Sequence, residues 1–145
     1  MTFSERIAAD FIKAHEGCNL AAYRDTGGIW TCGYGATGAD ITTGTVWTQT
    51  QADDRLIADV HSAGLAVKRQ IAVALSDQQM AALISFVFNL GEGSLSGSTL
   101  RTKLNQGDVL GAAKEFPRWD HAGGIEVKGL LIRRFEEAAL FLKGS

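Results

Sequence analysis

Residues 16–35, EGCNLAAYRDTGGIWTCGYG, gather two carboxylates, two cysteines, three aromatics and five glycines into one short stretch. Asp25-Thr26-Gly27-Gly28 is a turn signal between two strand-like runs, so the stretch reads as a small antiparallel sheet. Gly33 and Gly35 flank Tyr34 and imply a second bend or a close backbone approach. A tight hairpin alone would explain the glycines. It would not explain why an acid sits at each end of the first half.

On either side the sequence is helical in character. Upstream, Thr2 and Glu5 have capping-box spacing, and Phe3, Ile7, Phe11 and Ile12 are expected on one buried face. Gly17 is the expected stop. Glu16 then falls on the last turn, at the negative end of the helix dipole, an unfavourable place for a carboxylate. Downstream, residues 48–71 read as a long helix capped by Thr48 or Thr50. Ser76-Asp77-Gln78-Gln79 opens the apolar run MAALISFVFNLG, apolar nearly all round and expected at the centre of the core, with Gly91 closing it. Shorter helices are expected near Thr99–Asn105 and Val109–Phe116, and a last one from about Leu130 to Leu142.

The 145 residues suit one domain, and 46% apolar against 21% charged residues supports a packed core. A net charge of −2 excludes the basic footprint of a general nucleic-acid binder. Charge is uneven: residues 1–60 hold eight acids and four bases, residues 101–145 six and eight. A solvated face accounts for that bias. No run approaches the roughly 20 apolar residues of a membrane span, and the charged N-terminal stretch lacks the apolar core of a signal peptide. The reading is a cytoplasmic protein without a membrane anchor. Cys18 and Cys32 form neither a disulfide framework nor a metal motif and are expected as two buried, free thiols.

Glu16 and Asp25, on different elements, suit glycoside hydrolysis, which needs one carboxyl to protonate the leaving oxygen and one carboxylate to activate water or attack carbon. Glu16, near Phe11, Ile12 and Leu20, is the expected acid. Asp25, in a polar glycine-rich turn, is the expected base or nucleophile. Sixteen acids supply many such pairs, so the pair alone does not single out an enzyme.

The wider pattern does. E-x8-D-x5-T followed by C-G-Y-G-x-T resembles the phage lysozymes, or endolysins, of glycoside hydrolase family 24, and Glu16, Asp25 and Thr31 match that family's Glu/Asp/Thr triad. The resemblance continues through residues 82–108 and 118–141 and is closest to the soluble lambdoid type. It implies an α+β, mostly helical, two-lobed lysozyme-like fold in a single domain, 1–145. A small sheet-containing lobe would span about 17–50 and a linking helix about 50–71. A helical lobe, about 72–145, would pack with the N-terminal helix.

The implied activity is hydrolysis of the β-1,4 bond from N-acetylmuramic acid to N-acetylglucosamine in peptidoglycan glycan strands, for host cell lysis and without a cofactor or metal. Glu16 would protonate the glycosidic oxygen; Asp25, helped by Thr31, would position water on the opposite face. That is an inverting arrangement, with carboxyl groups roughly 6.5–9.5 Å apart. Thr37, Phe88 and Asn89 match cleft positions, though Phe88 would serve equally in the core. One of Lys128, Arg133 or Arg134 is expected to pair with Glu16, and spacing does not choose among them. Trp119 is read as core rather than a sugar platform; His15, His61 and His121 are read as surface or supporting residues.

A monomer is the expectation, since nothing in the sequence indicates an assembly surface. The lack of a separate wall-binding module agrees with a Gram-negative host. By resemblance to the soluble members the enzyme would wait in the host cytoplasm for a holin to open the way to the periplasmic wall. Its acidity is unusual for a wall-degrading enzyme. Two rivals stand beside this reading: a lysozyme-like wall-binding or phage structural protein, and a lytic transglycosylase, which closes an anhydro ring without water. The intact Glu16/Asp25/Thr31 set argues against both.

Overall fold

In a computed structural model describing residues 1–122 and 125–145, the chain folds as seven α-helices and two small hairpins among the described residues. Helix α1 (Phe3–His15) precedes the hairpin β1 (Asn19–Arg24) and β2 (Trp30–Gly33). Next come α2 (Gln49–Gln70), α3 (Asp77–Leu90), α4 (Glu92–Ser96), α5 (Thr99–Asn105) and α6 (Val109–Ala113). A 3-10 turn at Phe116–Arg118, a two-residue hairpin of β3 (His121–Ala122) and β4 (Ile125–Glu126), and α7 (Lys128–Lys143) complete it.

The three long N-terminal caps are capping boxes: Thr2 with Glu5, Thr48 with Gln51, and Ser76 with Gln79. Each satisfies two otherwise orphaned backbone N–H groups, at about 1 kcal/mol per cap. Thr48, not Thr50, therefore starts α2. The helix expected over Val109–Phe116 stops at Ala113 and resumes as the 3-10 turn, because Pro117 cannot donate the bond an α-helix would need there.

α3 is the hub. Ala81, Ala82, Leu83, Ile84 and Phe86 are fully buried, and α1, α2 and α7 all pack on them. On α1 the buried face is Ser4, Glu5, Ala8, Ala9 and Ile12, not the face through Phe3 and Phe11; Phe3 is exposed. Small residues on that face let α1 approach α3 closely, which larger side chains would prevent. Phe86, Phe116 and Trp119 meet edge to face at 5.7 and 5.5 Å, so Trp119 belongs to the core, as its sequence context implies.

A second, smaller apolar cluster lies under the first hairpin: Cys32, Ala36 and Ile41, with Ala22, Trp30 and Trp47 packed against it. β1 and β2 pair antiparallel with Tyr23 opposite Thr31 and a register shift between Asn19 and Tyr23. The segment around Thr45–Trp47 adds a partial third strand, since the Ala22 N–H donates to Thr45 O and the Trp47 N–H to Leu20 O, both at 2.8 Å. The DHAGG loop foreseen around His121 includes Gly123 and Gly124, which lie outside the described residues. No helix among the described residues is long and apolar enough to cross a membrane.

Candidate active site

Glu16 does not sit on the last turn of α1 but caps it. Its backbone is extended (φ −97°, ψ 132°) and its N–H donates to Ile12 O, so the helical conformation ends one residue before it. The carboxyl is held at one oxygen: Arg133 Nη1 of α7 donates to Oε1 at 2.9 Å. Of the three cations left open by spacing, Arg133 is the partner. Oε2 faces Gly35, whose missing Cβ would stand 3.1 Å away. Gly35 has φ +79°, a conformation glycine adopts without penalty. Gly35→Ala is therefore expected to cost about 1–2 kcal/mol in backbone strain. It should also lower turnover at least about tenfold by pushing the acid aside; urea melts and cleavage rates check the two parts separately.

Asp25 anchors the turn between β1 and β2. Its Oδ1 accepts from the Gly27 and Ile29 N–H groups, both at 2.9 Å, and its own N–H donates to Ile29 O. No described residue donates to Oδ2. One carboxylate oxygen thus shapes the turn while the other stays available. Thr31, at 4% exposure, donates its hydroxyl hydrogen to Ile29 O at 2.9 Å, which leaves only lone pairs for another partner.

A cleft of about 360 Å³ runs along α2, lined by Gly35, Thr37, Arg55, Asp59, Arg69 and Phe88 among others. Thr37 and Phe88 thus share one cavity, with Gly35 joining it to Glu16. Asn89 is elsewhere: its Oδ1 accepts from Arg134 Nη2 at 2.8 Å, the partner its half-buried amide requires. Arg55 bridges Asp59 and Asp40 and reaches Thr37 O. At the far end Arg69 grips Glu92 in a fork at 3.0 and 2.7 Å. Hydrogen bonds from Arg69 and then Gln70 draw the Glu92 carboxyl down to about 2. A second groove of about 360 Å³, lined by Glu5, His61, Leu65 and Met80 among others, contains none of the candidate residues.

Behind Glu16 lies a buried polar network the sequence reading did not anticipate. Arg133, Arg134 and Glu137 of α7 are all buried, Arg134 and Glu137 completely. Ser85 of α3 donates to Glu137 Oε2 at 2.6 Å and accepts from Arg133 Nη2 at 3.2 Å. Arg134 Nη2 donates to the same Oε2 at 3.2 Å. Arg134 Nε lies 2.9 Å from Glu137 Oε1 but is misaligned for a hydrogen bond, so charge alone holds that contact. Burial pushes Arg134 down to about 10, against the pull of Glu137, so the guanidinium stays charged at neutral pH. Burial pushes Glu137 upward, opposed by Arg134, the Ser85 hydroxyl and Arg133. Two donors, the Ser85 hydroxyl and Arg134 Nη2, converge on Oε2 of this carboxyl, which acts as their acceptor.

Each of the three histidines faces a carboxylate. His15 stacks near Phe11 and contacts Glu136 at 2.6 Å, His61 pairs with buried Glu5 at 3.0 Å, and His121 pairs with Asp120 at 2.5 Å. Both thiols are free; Cys32 is buried against the Leu20 carbonyl, but Cys18, expected to be buried, is exposed beside Gln49.

Residues 13–137 match the protein-family model described as Phage lysozyme. The endolysin of Bacillus phage PZA is 40% identical over 138 residues, covering 94% of this chain but only 54% of that protein. The SAR-endolysin of Enterobacteria phage PA-2 is 37% identical over 129 residues, 89% of this chain and 78% of its own length. Among solved structures, the endolysin of Escherichia coli phage FAHEc1 superposes with a TM-score of 0.88 at 34% identity, covering 100% of this chain and 96% of that one. The muramidase domain of SpmX from Asticaccaulis excentricus gives 0.86 at 31% identity, with 94% and 95% covered.

Proposed function

This chain belongs to the phage lysozyme family of peptidoglycan hydrolases, and we propose that it cuts the β-1,4 bond from N-acetylmuramic acid to N-acetylglucosamine with inversion. The observation that carries this reading is the division of labour on Glu16: Arg133 occupies Oε1, while Oε2 faces Gly35 of the cleft. A proton carried on Oε2 passes to the glycosidic oxygen as the C–O bond breaks. Asp25 Oδ2 takes a proton from a water that attacks the anomeric carbon from the other face. The Thr31 oxygen, its own hydrogen committed to Ile29, accepts that water's second hydrogen. Solvent then restores both carboxyl groups.

In this reading the sheet-bearing segment, about 17–50, presents Asp25 and Thr31, and the helices of about 72–145 present Arg133 behind Glu16. Thr37 and Phe88 contact the sugars along the cleft, while Asn89, held by Arg134, is not part of its lining. The enzyme acts on peptidoglycan as a monomer, passing from the host cytoplasm to the wall once a holin has opened the membrane.

Asp25→Asn separates this mechanism from its rivals. The asparagine oxygen can still accept both turn amides, so the hairpin survives, but the charge that draws a proton from water is gone. Cleavage is expected to fall at least about 10²-fold. Asp40→Asn, which removes only an exposed pair with Arg55, should stay within about twofold of wild type. Rate measurements on purified Gram-negative peptidoglycan compare the two; equal effects would mean that Asp25 has no special role. Anhydro products that persist in Asp25→Asn would instead mark a lytic transglycosylase.

A further inference from the structure

We propose that Glu137, which lies outside the cleft, is a positioning residue for this reaction: a single buried carboxylate that sets Arg133 against Glu16 and Arg134 against Asn89. The inference rests on Glu16 being the acid.

Burying three charges is a poor way to stabilise a helix, because apolar side chains of similar volume usually do as well or better. The bonds themselves suggest another purpose. From Glu137 Oε2 one route runs through the Ser85 hydroxyl to Arg133 Nη2 and on, through Nη1, to Glu16 Oε1. A second runs through Arg134 Nη2 to Asn89 Oδ1. Arg133 Nε also approaches Oε2, at 3.5 Å. Ser85 has one hydroxyl hydrogen and gives it to Glu137, so it must accept from Arg133. The whole chain of donors therefore has one possible direction, and it ends on Glu137 Oε2 as the acceptor. An amide in that place would allow the directions to scramble.

The charge count points the same way. Two arginines against Glu137 leave one net positive charge facing Glu16. Without Glu137, the buried cluster behind Glu16 would carry two uncompensated cations, a larger positive field at the site. Among the described residues no other charge takes the place of Glu137. α3 contributes only neutral Ser85 and Asn89 to this network. On α1, Lys13 lies over Tyr34 and His15 is engaged by Glu136; Asp25 is engaged by its own turn.

The test is steady-state cleavage of soluble peptidoglycan glycan strands by Glu137→Gln and Ser85→Ala beside Glu16→Gln, with pH–rate profiles and thermal melts. Glu137→Gln is expected to lower kcat about tenfold to hundredfold with KM within about twofold. The basic limb of its profile should move about one unit to lower pH. Ser85→Ala keeps every charge and cuts only the link, so it should lower kcat while leaving the limb in place; it serves if Glu137→Gln does not fold. A lowered melting temperature with unchanged kcat and profile in Glu137→Gln, or a wild-type kcat in Ser85→Ala, overturns the proposal. An active Glu16→Gln enzyme would overturn the functional reading beneath it, and the two failures are therefore distinguishable.

Discussion

Glu16→Gln is expected to lower glycan cleavage by about 10³-fold, within the range a positioned general acid contributes, while the fold is nearly untouched. The amide oxygen can still accept from Arg133 Nη1, and Glu137 remains to balance the buried arginines. The expected stability change is thus within about 1–2 kcal/mol, the scale of one hydrogen bond to a charged group. Activity and stability respond very differently to the same atom, which is the signature of a reacting group rather than a structural one. Paired measurements of turnover and urea unfolding on one preparation check it. Parallel losses in both would place Glu16 in the scaffold instead.

Arg134→Met should do the opposite to stability. It removes a completely buried guanidinium that pairs with Glu137 and holds Asn89, leaving the Glu137 carboxyl under-compensated at 0% exposure. Breaking a buried pair on one side costs about 3–5 kcal/mol, or a fall of roughly 10 °C or more in melting temperature for a domain of this size. Removing both charges, as Arg134→Met with Glu137→Leu, should recover most of that loss, since no unpaired charge then remains. Such a double variant would be folded and slow, stability and positioning having been separated. Thermal melts of the single and double variants decide the point, and a single-variant cost below about 1 kcal/mol would show that the pair is not held as described.

These two sites also differ in how much of their local structure a linear pattern carries. Glu16, Asp25 and Thr31 are placed by a local turn and a cap, and local signals are what a linear pattern carries. The capping boxes of α1 and α3 were legible for the same reason: three residues decide each. The buried face of α1 was not, because Phe3 and Phe11 outweigh Ala8 and Ala9 in apolarity, yet it is the small side chains that permit close packing on α3. α4 was missed because EGSLS holds poor helix formers. It forms because Gly91, at φ +88°, turns the chain so that Leu95 is buried and the Ser94 hydroxyl reaches Leu90 O.

The charged run Arg133-Arg134-Phe135-Glu136-Glu137 reads as a solvated helix face with i,i+3 and i,i+4 pairs. Its true role depends on Ser85 and Asn89, more than forty residues earlier on α3. Arg133, Arg134 and Glu137 are buried while Phe135 is exposed, an inversion of the usual pattern. That inversion is visible only once α7 is docked. The choice of Arg133 over Lys128 follows from the same docking: Lys128 opens α7, whereas Arg133 lies more than a turn further on, where α7 meets α3 and Glu16.

The most direct test of the account is mass spectrometry of the products released from purified Gram-negative peptidoglycan by the wild-type enzyme and by Glu16→Gln. The account predicts muropeptides with reducing N-acetylmuramic acid ends from the wild type and none above background from the variant. Anhydro ends would remove the attacking water and with it the role of Asp25, and equal release by both proteins would contradict the central claim that Glu16 is the acid.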